Sequence, residues 1–228
     1  MHDPATEHPT RHEDGDGNTL YKEDFWRQEN LKYSRPHYRM EKAARIINRL
    51  ARGRERTLLD VGCGPATLKS LLDPNLDYYG IDIAIHDDTP NLIEADFLET
   101  PIKFGDRRFD IVLAQGVFEY VGDFQSQKFA EIADILNTDG TFVVSYVNFD
   151  HRQTDIYWPY SNVQPFREFR HSLAQHFRIR SYFATSHNWN HWEPTRRLIR
   201  SANMHLNVNV PFISPVLAVE YFLICGPR

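Results

Sequence analysis

A chain of 228 residues with 41% apolar and 25% charged residues suits one domain with a sizeable core. No stretch approaches the ~18 apolar residues of a membrane span, and a net charge of −5 argues against a nucleic-acid-coating surface. Two cysteines, Cys63 and Cys225, supply neither a disulfide framework nor a zinc site, so a reducing cytoplasm is the expected setting.

Residues 1–19 hold five acids and one arginine without periodicity, and they read as a disordered tail whose histidines are solvated. The start lacks the charged-then-apolar pattern of a secretory leader. The remaining chain is close to neutral, which suits an uncharged or small ligand. Residues 20–228 are expected to form one domain. Residues 20–40 are dense in aromatic and basic groups around Pro36. A helix follows, because Ala43, Ile46, Ile47 and Leu50 share one face, and Gly53 is the expected stop. Together, residues 20–52 make an N-terminal cap and helix.

Strands and helices then alternate. Apolar runs predict strands at 57–61, 78–83, 92–95, 109–114, 141–147, 179–184 and 218–225. Helices are predicted after Pro65, around Phe129, Ile132, Ala133 and Leu136 with Asp139-Gly140 closing it, and around Phe166, Phe169, Leu173 and Phe177. Near-continuous apolar strands between helices imply a doubly wound, mainly parallel sheet covered on both faces, a three-layer α/β/α fold.

The sequence Leu58-Leu59-Asp60-Val61-Gly62-Cys63-Gly64-Pro65 takes a strand through a glycine turn into a helix. Glycines let the backbone curl and let a ligand approach closely. No Gly-Lys-Ser/Thr follows, so this is not a P-loop, and Asp60 would repel a pyrophosphate but suit a cationic group. Asp82 ends the next strand, where a carboxylate can accept ribose hydroxyls. Asp96 and Phe97 follow the third strand, placed to accept an exocyclic amine and to cover a purine face. Gln115 follows the fourth. All fall at the carboxyl edge of a parallel sheet, where such folds bind ligands.

Taken together, Leu-Asp-Val-Gly-Cys-Gly, Gly-Ile-Asp, Ala-Asp-Phe, Phe-Asp-Ile-Val and Asp-Gly-Thr-Phe make residues 56–147 resemble a class I S-adenosylmethionine-dependent methyltransferase. The resemblance implies a seven-stranded sheet with an antiparallel last strand and S-adenosylmethionine as cofactor. It also implies that Asp60, Gly62 and Gly64 cradle the methionine portion. Asp82 would hold the ribose, Asp96 and Phe97 the adenine, and Gln115 the amino group through its backbone. Ala66 stands where the family often has a third glycine. The link 84–90 is too short for the usual helix. N-terminal pieces of such proteins close over the cofactor, which would bring Arg35 or Arg39 to its carboxylate.

Segments 148–165 and 185–217 emerge on the ligand edge and are unusually aromatic. With the 20–40 segment they contain all four tryptophans, Trp26, Trp158, Trp189 and Trp192. Tyr33, Tyr157, Trp158, Trp189 and Trp192 are the expected acceptor-binding side chains, the alternative being a small core within the cap. His151, His187 and His191 are the candidate bases, since histidine titrates near neutrality. His187 and His191 could chelate a metal on a helix, but the sequence between them reads as a loop, and no metal is expected. The favoured reaction is methyl transfer to oxygen or nitrogen of a small metabolite, aromatic or sugar-bearing. A protein or RNA acceptor is the alternative, disfavoured for RNA by the charge balance. A non-catalytic S-adenosylmethionine-binding partner protein is the third reading. Glu119 reads equally as a site residue or as a helix-start acid. The sequence sets no oligomeric state.

Overall fold

The computed structural model describes residues 26–27, 30–86, 89–102, 104–150, 163–187, 204–205, 207, 209 and 211–228. The expected tail 1–19 lies outside them, as do His151, Tyr157, Trp158, Trp189, His191 and Trp192. The described residues form seven strands: β1 Arg56–Val61, β2 Leu76–Asp82, β3 Leu92–Glu94, β4 Phe109–Ala114, β5 Leu136–Val147, β6 Phe177–His187 and β7 Ala218–Pro227. Their order across the sheet is β3-β2-β1-β4-β5-β7-β6. Strands β1 to β5 pair in parallel, and β7 runs antiparallel to both β5 and β6. The expected doubly wound sheet with its antiparallel last strand is therefore present. Strand order reverses between β1 and β4, and a crevice opens beyond the carboxyl ends of strands at such a point.

The described residues also form helices α1 Tyr38–Ala51, α2 Gln125–Ile135, α3 Phe166–His176 and the single turn α4 Ser214–Leu217. Successive strand residues point to opposite faces. Leu58, Tyr78, Ile111 and Val143 pack with Ala43 and Ile47 of α1 on one face. Leu59, Tyr79, Val112 and Val144 pack with Phe129 of α2 and Phe169 of α3 on the other. Phe118 stacks on Phe129 at 4.6 Å, and Tyr146 on Phe169 at 3.8 Å, joining the second layer to the strand ends.

Three local expectations are corrected. Helix α1 starts where His37 Nδ1 accepts the Arg39 amide at 3.2 Å, and it stops at Ala51, two residues before Gly53, because Arg52 is already left-handed at φ 52°. No α-helix follows Pro65. Ala66 takes φ 52°, so the chain re-enters only as a short 3-10 turn, Thr67–Leu71, before Pro74 restricts Asp73. Asp139-Gly140 does not close α2, which ends at Ile135 and passes directly into β5. Phe109 pairs with Leu136 but Ile111 with Thr141, so residues 137–140 form an excursion within that strand. The link 84–90 carries no helix among its described residues. No helix among the described residues is long and apolar enough to cross a membrane.

Candidate functional site

The parallel register brings the ends of β1, β2, β3 and β4 together: Val61 lies beside Ile81 and Ala114, and Asp82 beside Glu94. Beyond them lies a cavity of about 240 Å³ lined by Asp60, Gly62, Gly64, Asp82, Asp96, Phe97 and Gln115. Seven residues chosen from sequence thus share one space. Tyr33 and Trp26 also line it, from the N-terminal segment.

The turn is built by backbone geometry. The amides of Gly62 and Cys63 both donate to the Ile81 carbonyl, at 2.8 and 3.2 Å. Gly62 has φ 73°, and a Cβ there would sit 2.4 Å from Val117 Cγ2. Only glycine meets both demands. The Gly64 amide donates to Asp82 Oδ2 at 2.8 Å, so the glycine turn and the end of β2 hold each other.

Asp60 and Asp82 put two buried carboxylates against the cavity. Burial pushes Asp60 up to about 7; the Tyr78 hydroxyl, donating at 2.8 Å, opposes this, and the Asp82 charge adds to it. Burial also raises Asp82, against hydrogen bonds from the amides of Ala84 and Gly64 and from Asn30. Asp82 Oδ1 accepts from Asn30 Nδ2 at 2.9 Å and from the Ala84 amide at 3.0 Å. One acceptor position on Oδ2 is left beside the Gly64 bond. Asp96 uses Oδ1 to accept the Leu98 amide at 2.8 Å, leaving Oδ2 without a partner among the described residues. Phe97 has Lys128 Nζ over its ring at 5.5 Å and Phe118 edge-on at 6.3 Å. The Gln115 side chain donates to the Arg39 carbonyl at 3.0 Å. The Cys63 thiol lines the cavity but is driven well above its ordinary range by burial and by Asp60 and Asp82, so it is no nucleophile.

The N-terminal segment crosses the cavity. Trp26 meets Tyr120 edge-on at 5.2 Å. Arg27 donates to both Glu94 oxygens, at 3.2 and 3.1 Å, and to the Ile85 carbonyl. Asn30 reaches Asp82. These contacts tie one segment to the ends of β2 and β3 and to the turn after β4. Arg39 lines the cavity while its guanidinium is gripped by Glu220; Arg35 is exposed and lies away from it.

Sequence reasoning missed Asn30, which no motif marks, and gave Glu119 only an even reading. Glu119 is 1% exposed, lines the cavity and accepts the Val147 amide at 3.1 Å. Burial pushes it up to about 7, and the neighbouring Glu220 charge adds to this, against Arg39. His187 is placed differently. It sits at the end of β6, its Nε2 2.9 Å from Ser214 Oγ, with its pKa lowered by burial, and it is not among the residues lining the cavity. No group of three potential metal ligands is present among the described residues.

The cavity fits S-adenosylmethionine chemically. A buried carboxylate, Asp60, faces it with no ion-pair partner among the described residues, which suits a sulfonium. Gly62 and Gly64 line it with backbone alone. The comparisons with known proteins agree. A family model described as a methyltransferase domain matches residues 35–196. No curated protein matches the sequence significantly. Among solved structures, a TehB-like SAM-dependent methyltransferase from Corynebacterium glutamicum is 15% identical with a TM-score of 0.55, covering 88% of this chain and 99% of that one. A SAM-dependent methyltransferase from Archaeoglobus fulgidus is 16% identical with a TM-score of 0.56, covering 89% and 98%. A putative methyltransferase from Haloferax volcanii, solved with the Trm112 methyltransferase activator, is 19% identical with a TM-score of 0.57, covering 91% and 98%. The chain belongs to the class I S-adenosylmethionine-dependent methyltransferases, with S-adenosylmethionine as its methyl donor.

Proposed function

We propose that this enzyme methylates an oxygen or nitrogen of a small-molecule acceptor held inside the covered cavity. The carrying observation is the cover itself. Trp26, Arg27 and Asn30 bind both flanks of the crevice, which favours a ligand-sized acceptor over a macromolecular surface. In this reading Asp60 and the turn at Gly62 and Gly64 hold the methionine portion. Asp82, oriented by Asn30, takes the ribose; Asp96 and Phe97 take the adenine; the backbone at Gln115 takes the ammonium.

The bound cofactor supplies a methyl group already activated on sulfur. The chain's work is therefore alignment, exclusion of water and removal of a proton. Tyr33, Trp26 and Tyr120 wall the cavity with rings. Tyr157, Trp158, Trp189 and Trp192 remain candidates for the acceptor side, and His151 and His191 for the base. Among the described residues, Asp60 and Glu119 are lining carboxylates both pushed up to about 7, and with Asp60 given to the cofactor, Glu119 is the one left to take a proton. A cytoplasmic setting accords with two free, buried cysteines.

The test is incorporation of labelled methyl from S-adenosylmethionine into a cell extract fractionated by size. Label confined to the low-mass fraction supports the reading. Label in protein or RNA moves the acceptor to the alternative class. Saturable cofactor binding with no labelled product in any fraction would sink the catalytic reading in favour of a binding partner.

A further inference from the structure

The opposite edge of the sheet holds a second cavity, of about 290 Å³. Its lining contains Arg49, Arg52, Arg54, Arg56 and Arg180 against two acids, Asp110 and Asp139. That is a local excess of three positive charges in a chain whose net charge is −5. We propose that this cavity binds the diphosphate group of a small-molecule ligand.

The arginines converge from separate elements. Arg49 comes from the last turn of α1, Arg52 and Arg54 from the turn that follows it, Arg56 from the first residue of β1, and Arg180 from β6. A helix carboxyl end stabilises nearby cations, which accounts for Arg49 and Arg52. It does not account for Arg54, Arg56 or Arg180. Gathering five like charges around one concavity is unfavourable unless an anion joins them.

The local acids neutralise them only in part. Asp110 is occupied by the Thr57 amide at 2.9 Å and Asn137 Nδ2 at 3.0 Å, with Arg56 Nη1 at 3.6 Å. The buried Nε of Arg56 has no hydrogen-bond partner. Arg180 gives one bond, to Thr141 Oγ1 at 3.2 Å. The guanidinium groups of Arg49, Arg52 and Arg54 meet no carboxylate within ion-pair reach among the described residues.

Guanidinium forks match phosphate oxygens two at a time, and several of them spread around one space suit linked phosphates better than a single one. The apolar lining is Leu50, Ala51 and Ile111, with no aromatic ring. Sites that read nucleic-acid bases stack them on rings. The recognised part is therefore phosphate, and what it is attached to extends outward. This cavity is separate from the methyl-transfer site: β1 carries Arg56 at one end and leads to Gly62 at the other, about 20 Å away at ~3.3 Å per residue.

Isothermal titration of the full chain tests this with inorganic pyrophosphate, ADP, orthophosphate and a single-stranded RNA. Saturable pyrophosphate binding is expected, with orthophosphate at least ~10-fold weaker through fewer charged hydrogen bonds. ADP binding equal to pyrophosphate supports a free diphosphate as ligand, and tighter ADP binding supports an esterified one. The exposed pair Arg54→Gln/Arg180→Gln should weaken pyrophosphate ~10–100-fold. S-adenosylhomocysteine affinity should stay unchanged and the ligand-free Tm should not fall, which separates this site from the cofactor reading. Absent pyrophosphate binding, or equal binding in the double variant, overturns the proposal. So does RNA binding tighter than pyrophosphate and lost in that variant, which assigns the face to nucleic acid.

Discussion

Asp60 is a carboxylate that stays half-protonated near pH 7 because its charge is buried, with one Tyr78 hydroxyl to support it. A cationic ligand favours its ionised form. Cofactor affinity should therefore rise between pH 6 and pH 8, approaching tenfold per unit below pH 7, with a proton released on binding. Titration of S-adenosylmethionine, which carries the sulfonium, in two buffers of different ionisation heat reads that proton. Asp60→Asn should weaken binding at pH 8 and flatten the dependence, and a flat wild-type profile would remove Asp60 from the cation site. Glu119 has a similar pH range and a different task. If it takes the acceptor's proton, turnover falls below pH 7 and Glu119→Gln lowers it by ~10²–10⁴-fold while cofactor affinity holds. Rates from pH 5.5 to 9 on the labelled low-mass product check this; an unchanged acidic limb in the variant assigns the base to another residue, such as His151 or His191.

At the scale of elements the glycine turn makes the sharpest claim. Gly62→Ala forces a side chain to φ 73° and into Val117 Cγ2, which should cost roughly 2–4 kcal/mol and abolish cofactor binding. Adding Val117→Ala relieves the collision but not the backbone, so the double variant should recover only part of the Tm. Ala66, at φ 52°, is the opposite case: Ala66→Gly should stabilise by about 0.5–1 kcal/mol, a rise of a few degrees in thermal unfolding. These two positions also show how far the sequence could be read. Glycines 62 and 64 with Asp60, Asp82 and Asp96 were legible because each sits at the end of an apolar strand, and the parallel order then carries all of them to one edge. The missing helix after Pro65 was not legible, since its leucines keep helical spacing, while the left-handed Ala66 separates Pro65 from the turn and Pro74 keeps the turn from extending. Asp139-Gly140 misled for a related reason. Turn residues mark a reversal of direction, and here they make an excursion inside β5 with no change of element. Asn30 and Glu119 escaped because their roles depend on long-range burial, and a buried glutamate runs against the ordinary distribution of that residue.

For the whole molecule, these site carboxylates tie stability to pH in an unusual direction. The folded values of Asp60 and Glu119 stand near 7, above their unfolded values, and Asp82 is raised as well. Between about pH 4 and pH 7 the folded chain then binds more protons than the unfolded one, so these groups make stability fall as pH rises. The burial penalty is complete above pH 7. Asp110 is shifted the other way, below the usual carboxylate range, and its contribution is lost only in stronger acid. Lys42, pushed down to about 8 by burial, favours folding as pH rises from 8 towards its unfolded value and leaves the lower window untouched. The cofactor-free enzyme should therefore melt at a higher temperature at pH 6 than at pH 8, and S-adenosylmethionine should raise Tm more at pH 8, where Asp60 is ionised and its sulfonium supplies a cation. Thermal melts at both pH values, with and without the ligand, measure all four corners. Asp60→Asn should raise the ligand-free Tm at pH 8 by removing a penalty on the order of 2–4 kcal/mol, while losing the larger ligand response there. A ligand-free protein more stable at pH 8 than at pH 6 would mean that these carboxylates are solvated, and the site would then lack the dry negative charge that the proposed sulfonium contact requires.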